Sequence, residues 1–276
     1  LHQPETKRVA HAAGVDVQQP ERLKGPAGEA TREWLRGLGA DLFVVMAYGQ
    51  ILSREVLDMP RLGCINLHAS ILPRHRGASP IQAAIAEGDR CSGITVMMMA
   101  EGLDTGDIVL VKTTPIHRRE TGGTLHDRLA ELAPVALAEA LERFANGTGT
   151  RTSQDEALAT YAPKLDRKSG QIDWRNDART IERRIRAMQP WPGAYTRFAN
   201  EKGDVRTLKV FSAIVLKKIN GEPGRVLEIA RTGIVVGCGE GALLLRSVQM
   251  EGRKRVDAVE FARGTRVSTG MELLSE

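Results

Sequence analysis

No stretch of these 276 residues approaches the ~20 consecutive apolar residues that a membrane-crossing helix needs, and no charged-then-apolar leader opens the chain. No membrane partner is expected, and a cytoplasmic location is. Cysteine is scarce: Cys64, Cys91 and Cys238 are odd in number and widely scattered, which fits neither a disulfide framework nor a metal site. The charge excess of a disordered chain is also missing. Apolar residues make up 42% and charged ones 26%, ordinary values for a globular protein, and the length allows about two domains with a core each.

What the chain does have is concentrated in two stretches. Asn66-Leu67-His68-Ala69-Ser70-Ile71-Leu72-Pro73-Arg74-His75-Arg76-Gly77 follows a short apolar run, Leu62 to Leu67, and Glu101 to Asp107 follows another, Ile94 to Met99. Runs of that kind suit strands buried on both faces. In open α/β sheets ligands collect at the carboxyl ends of strands, which is where Asn66, His68 and Asp104 fall. Asn66 and His68 are two apart, so a strand places an amide donor and an imidazole on one face, a pair suited to stabilising an oxyanion and moving a proton. The plain alternative is a solvated strand edge followed by an Asp-Thr-Gly turn. Asp-Thr-Gly also occurs in aspartic proteases, but that chemistry needs two such aspartates sharing a proton, and here there is one.

Charge divides unevenly. Residues 1–162 carry 17 Lys and Arg against 20 Asp and Glu; residues 163–276 carry 22 against 14. A basic second part suggests a polyanionic partner such as RNA, with surface solubility as the competing explanation.

NLHASILPRHRGASPIQ, with GITVMMMAEGLDTGDIV at the matching distance and YAPKL, IDW and IRAMQPWPGAY beyond, resembles the folate-dependent formyltransferases, most of all those acting on methionyl-tRNA. The likeness runs over nearly the whole chain. It implies a Rossmann-like α/β catalytic domain with a mostly parallel sheet over residues 1–157, a linker over 158–175, and an OB-like β-barrel over 176–276 that binds tRNA. It implies 10-formyltetrahydrofolate as formyl donor without a metal, and the amino group of methionyl initiator tRNA as acceptor, in a monomer. Asn66, His68 and Asp104 match the catalytic residues. Ser70, Ile71, Leu72 and Pro73 match the folate-contact segment, with Tyr48, Gly49, Gln50 and Ile51 forming a wall of the pterin pocket. Arg183, Arg186, Arg253 and Lys254 are candidate tRNA contacts. Amino-sugar nucleotides or glycinamide ribonucleotide as acceptors, a folate hydrolase or dehydrogenase module, and an inactive RNA-binding relative remain alternatives. The resemblance also leads one to expect an opening strand–helix–strand and a basic loop ahead of Leu1, so residues 1–276 alone are expected to fold poorly.

Elsewhere helices are expected near Glu5 to Ala13, over Glu29 to Leu38, from Arg54 to Met59 with Ser53 as cap, from Pro80 to Glu87 with Gly88 as stop, over Thr121 to Asn146 bent at Pro134, and over Asp177 to Met188. Leucines 125, 129, 132, 137 and 141 mark the apolar stripe of the longest. Val15 to Gln18 reads as a strand and Asp41 to Ala47 as a buried parallel one. Glycine-divided β-rich runs from Thr207 to Gln249 have the rhythm of a small barrel.

Overall fold

The computed structural model describes residues 3–199 and 204–275; Leu1 lies outside them. The first part contains α1 (Glu5–Ala12), α2 (Glu29–Gly37), β1 (Phe43–Val45), α3 (Arg54–Leu57), β2 (Cys64–His68), β3 (Arg76–Gly77), α4 (Pro80–Glu87), β4 (Cys91–Met98), β5 (Ile108–Pro115) and α5 (Gly122–Ala145). After β6 (Tyr161–Ala162), which pairs with β3, come α6 (Ala178–Ala187), β7 (Tyr195–Ala199), β8 (Val205–Leu216), β9 (Val226–Ala230), β10 (Gly233–Gly237), β11 (Ala242–Met250), β12 (Val256–Asp257), α7 (Ala258–Thr265) and β13 (Leu273–Leu274). No described helix is long and apolar enough to cross a membrane.

The first core lies on a four-stranded sheet of order β1-β2-β4-β5. Only β1 and β2 run parallel; β2–β4 and β4–β5 are antiparallel, which corrects the expectation of a mostly parallel sheet. A strand covered on both faces carries the same unbroken apolar run in either direction, so direction leaves no mark on the sequence. β1 is an outer strand, with Val44 44% exposed and Met46 beyond it 54% exposed, not the buried strand expected. Val15 to Gln18 forms no strand; residues 16–18 line a groove of about 740 Å³ with α1, α2 and β1.

Helix ends follow their chemistry closely. Gly88 takes the left-handed conformation (φ 79°) after α4, and Thr121 caps α5 in a reciprocal pair with Thr124. Ser53 sits at the N-cap of α3, but its hydroxyl makes no capping bond. α5 runs through Pro134 as one 24-residue helix. Its buried stripe is Leu125, Leu129, Ala133, Ala136 and Ala140, and Leu141 is 40% exposed, because small residues let the helix sit close to β4.

The second core fills a curled antiparallel sheet of order β13-β7-β8-β11-β10-β9, with β12 on β11. Its two ends meet at the Arg225↔Glu272 bridge and the Leu273 N–H to Gly224 carbonyl bond (2.7 Å), giving an OB-like half-barrel. Ile172 and Trp174 already belong to this core. α6 serves both cores: Ile181 and Ile185 pack into the second, Ala187 and the following Met188 into the first.

Asp177 starts α6. Its carboxylate accepts the Thr180 hydroxyl at 2.6 Å and the backbone N–H groups of Arg179 and Thr180 at 3.0 Å. The Thr180 hydroxyl above all, then those N–H groups, hold the carboxyl below the usual range against the opposing effect of burial. A carboxyl depressed on folding stabilises above its unfolded pKa and loses that contribution as pH falls through the folded one. Asp177→Ala should therefore cost about 1 kcal/mol at neutral pH. Urea unfolding at stepped pH should show the gap to the parent closing as the solution is acidified below about pH 4.

Candidate active site

β2 ends where the chemistry begins. Its register sets Asn66 opposite Met97 and His68 opposite Thr95, and the two-residue spacing puts Asn66 and His68 on one face. Thr95 anchors the loop that leaves β2: its hydroxyl donates to the Ser70 carbonyl (2.6 Å) and accepts the Leu72 N–H (3.2 Å). The loop then turns back, and His75, itself tied by Nε2 to Asp89 (2.7 Å) and by its backbone N–H to Thr160 (2.8 Å), aims its carbonyl at His68 Nε2 (2.9 Å). A carbonyl only accepts, so Nε2 carries the hydrogen and Nδ1 is the ring atom left for exchange.

Nδ1 faces Asp104. Asp104 Oδ2 lies 3.6 Å from it and accepts the Gly77 N–H at 2.8 Å, with both side chains largely buried. At 3.6 Å this is an ionic contact with room to tighten, not a hydrogen bond. Oδ1 of Asp104 and the side-chain amide of half-buried Asn66 have no hydrogen-bond partner among the described residues. An amide and a ring nitrogen on one face of β2, and a carboxylate oxygen beside that ring, thus remain available.

Asp104 occupies the left-handed region (φ 53°) in the turn between β4 and β5. The turn is tight: a Cβ on Gly106 would stand 1.8 Å from the Met98 carbonyl oxygen, so only glycine fits. Gln154 closes it from outside, donating from Nε2 to the carbonyls of Asp104 (2.8 Å) and Gly106 (2.7 Å). Gln154 Oε1 accepts Arg76 Nε–H (3.0 Å), and Arg76, almost fully buried, forms a two-pronged pair with Glu156. The Glu156 contact raises the Arg76 pKa and lowers that of Glu156.

The other expected site residues divide. Ser70 and Leu72 are buried and hold the loop from within, Ser70 donating to the Arg74 carbonyl, while Ile71 and Pro73 are only half-buried. Tyr48 and Gln50 line the groove beside β1, with Gln50 Oε1 accepting the Leu23 N–H; Gly49 has φ 76° and Ile51 is 75% exposed. That groove is not lined by Asn66, His68 or Asp104.

The arginines of α6 are engaged internally. Arg183 lies across Gly88 and donates to the Glu87 carbonyl, and Arg186 pairs with Glu182 and donates to the Glu120 carbonyl (2.8 Å). Both guanidinium groups thus fasten α6 to the first part of the chain. Arg253 and Lys254 are exposed, and neighbouring Arg255 stacks 4.3 Å above the Phe211 ring.

Residues 5–141 match the family model described as formyl transferase, and residues 164–266 match the formyl transferase C-terminal domain. The chain is 48% identical over 265 residues to the methionyl-tRNA formyltransferase of Akkermansia muciniphila, covering 96% of this chain and 83% of that one. It is 45% identical over 267 residues to that of Citrifermentans bemidjiense, covering 97% and 81%. Among solved structures, WlaRD, a sugar 3N-formyl transferase crystallised in the presence of dTDP and 5-N-formyl-THF, superposes with TM-score 0.64 at 16% identity over 90% of this chain and 82% of its own. HypX from Aquifex aeolicus in complex with tetrahydrofolic acid gives 0.60 at 22% identity over 87% and 42%. At those identities the two structures speak to the fold.

Proposed function

This chain belongs to the methionyl-tRNA formyltransferase family and is a formyl-transferring enzyme, and from that premise we propose that it formylates the amino group of methionyl initiator tRNA, in the cytoplasm, with 10-formyltetrahydrofolate as donor. The observation that carries the reading is the approach of His68 Nδ1 to Asp104, with Asn66 on the same face of β2 as His68 and its amide free of protein partners among the described residues.

The amine nitrogen attacks the formyl carbon, and negative charge gathers on the formyl oxygen. The Asn66 amide donates to that oxygen, joined by His68 Nδ1 once the ring has taken up a second proton there, and a preorganised donor is worth on the order of 3 kcal/mol. The nitrogen sheds its proton to Asp104 Oδ1, directly or through a water, as the tetrahedral species forms. The carbon–N10 bond then breaks and N10 takes up a proton, leaving tetrahydrofolate and the formylated aminoacyl-tRNA. An α-amino group has a pKa near ~8, lowered by esterification, so the nucleophile is already largely neutral and the base acts on the adduct.

The folate would lie against Ile71, Pro73 and the backbone of the 70–73 loop, with the 48–51 segment opposite. Among the basic residues, Arg253 and Lys254 are the better-placed phosphate contacts, because Arg183 and Arg186 are committed elsewhere.

Transfer of labelled formyl from 10-formyltetrahydrofolate to charged initiator tRNA, set against dTDP-amino sugars and water as acceptors, tests the proposal in the full-length protein. Label on the tRNA, with at least ~100-fold less on the sugars, is the expected result. Preferential transfer to an amino sugar or to water would replace the acceptor assignment.

A further inference from the structure

Gln154 lies about fifty positions along the chain from Asp104, in a stretch that otherwise resembles a plain connection. Its single amide nevertheless ties off both carbonyls that flank Thr105, at 2.8 and 2.7 Å. Asp104 sits in a backbone conformation that non-glycine residues adopt only when their surroundings enforce it. The amide itself cannot swing, because its oxygen is held by Arg76, and Arg76 is held twice by Glu156. Thr152, two residues earlier, is bridged to Ile108 by a reciprocal backbone pair at 2.8 and 2.9 Å, which fixes where the side chain begins. Arg76 and Gly77 are adjacent, so the same short strand that locks Gln154 also supplies the N–H bound by Asp104 Oδ2. The Asp104 carboxylate is therefore located from two sides by one connected set of hydrogen bonds.

We infer that Gln154 is a positioning residue for formyl transfer: it fixes the 104–106 turn so that Asp104 Oδ1 stays where the attacking nitrogen delivers its proton, and the Arg76–Glu156 pair fixes Gln154. The inference rests on Asp104 being the proton acceptor. Gln154 touches neither substrate. Its loss should lower kcat and leave both KM values nearly unchanged, since a small misplacement of a reacting group weakens the chemical step more than binding.

The test uses the full-length protein and a double-mutant cycle. Gln154→Glu keeps an acceptor for Arg76 but has no N–H for the two carbonyls. Gln154→Met keeps the side-chain length and loses the bonds to both carbonyls and to Arg76, and stands in should the glutamate variant fold poorly. Either should lower kcat about 10- to 100-fold, with KM for folate and for tRNA within about two-fold. Ser153→Ala removes the neighbouring bond to Asp107 (3.0 Å) and loosens the same segment without touching the turn carbonyls, so it should leave kcat within about two-fold. In an Asp104→Asn background the Gln154 substitutions should cost less than about two-fold, because the group they position is already disabled. An equal factor in both backgrounds, an equal loss from Ser153→Ala, or a Gln154 variant with parental kcat beside an impaired Asp104→Asn would each overturn the inference. Parental turnover by Asp104→Asn itself would remove the premise instead, and is told apart because it appears in that single variant.

Discussion

Asn66→Ala, in the full-length enzyme, should lower kcat about 10²- to 10³-fold while the folate dissociation constant stays within a few-fold. The side chain is half-buried, carries no structural hydrogen bond and sits midway along β2, where β1 and β4 hold it in register from both sides. Removing it therefore deprives the transition state of a donor without leaving a buried partner unsatisfied. His68→Ala and Asp104→Ala should each cost about 10²- to 10⁴-fold as proton-handling groups. The three effects should not add, because His68 Nδ1 and Asp104 share one contact and act together. Single-turnover formyl transfer with separately measured folate binding checks this. Near-normal turnover by any one variant would take that residue out of its assigned role, and loss of folate binding in parallel would recast it as a ligand contact.

The second large effect concerns stability. Trp174→Ala should destabilise the protein by about 3–5 kcal/mol, a substantial share of the ~5–15 kcal/mol that a domain commands. The indole is 1% exposed, packs beneath Gly224 where the two ends of the curled sheet approach each other, and donates from Nε1 to Thr196 Oγ1 at 3.0 Å. Thr196, fully buried, passes the chain of bonds to the Leu274 carbonyl (2.9 Å). Alanine leaves a cavity at this junction and removes one partner of a buried hydroxyl; phenylalanine refills most of the volume and should recover a good part of the loss. Urea unfolding followed by far-ultraviolet circular dichroism measures both. An alanine variant within about 1 kcal/mol of the parent would mean that the barrel closes without its tryptophan.

Much of the fold was readable in the residues because local chemistry and global architecture agree there. Pro80 and Gly88 bracket α4, Thr121 opens α5, Asp177 opens α6, and alternating runs between glycines give the antiparallel half-barrel. His68 and Asp104 do meet, but not because two carboxyl strand ends share one edge of the sheet: β2 and β4 run antiparallel, and the turn after β4 brings Asp104 back to His68. The features that escaped have equally physical causes. The direction of β4 is invisible in a doubly buried run, and the exposure of Val44 depends on what lies beside β1, which no single residue reports. An amphipathic helix rich in arginine reads alike whether its guanidinium groups face phosphates or, as for Arg183 and Arg186, backbone carbonyls of the first part. Gln154 left no signal at all: one amide in a polar stretch acquires meaning only when folding carries it about fifty positions back to a turn.

One consequence of α6 concerns how the molecule comes apart. Its ten residues are claimed from both directions, with Ile181 and Ile185 on one side and Ala187 leading into Met188 on the other, and Gly123 N–H bonds to the Gln189 carbonyl just past its end. Neither lobe can melt without stripping the other of part of its interior, so heat should meet a single cooperative unit where the sequence shows two modules. For the same reason a chimera spliced anywhere between residues 163 and 190 inherits half of a shared keystone, and swapping barrels between relatives should succeed only when this helix and its seat on α4 and α5 travel together.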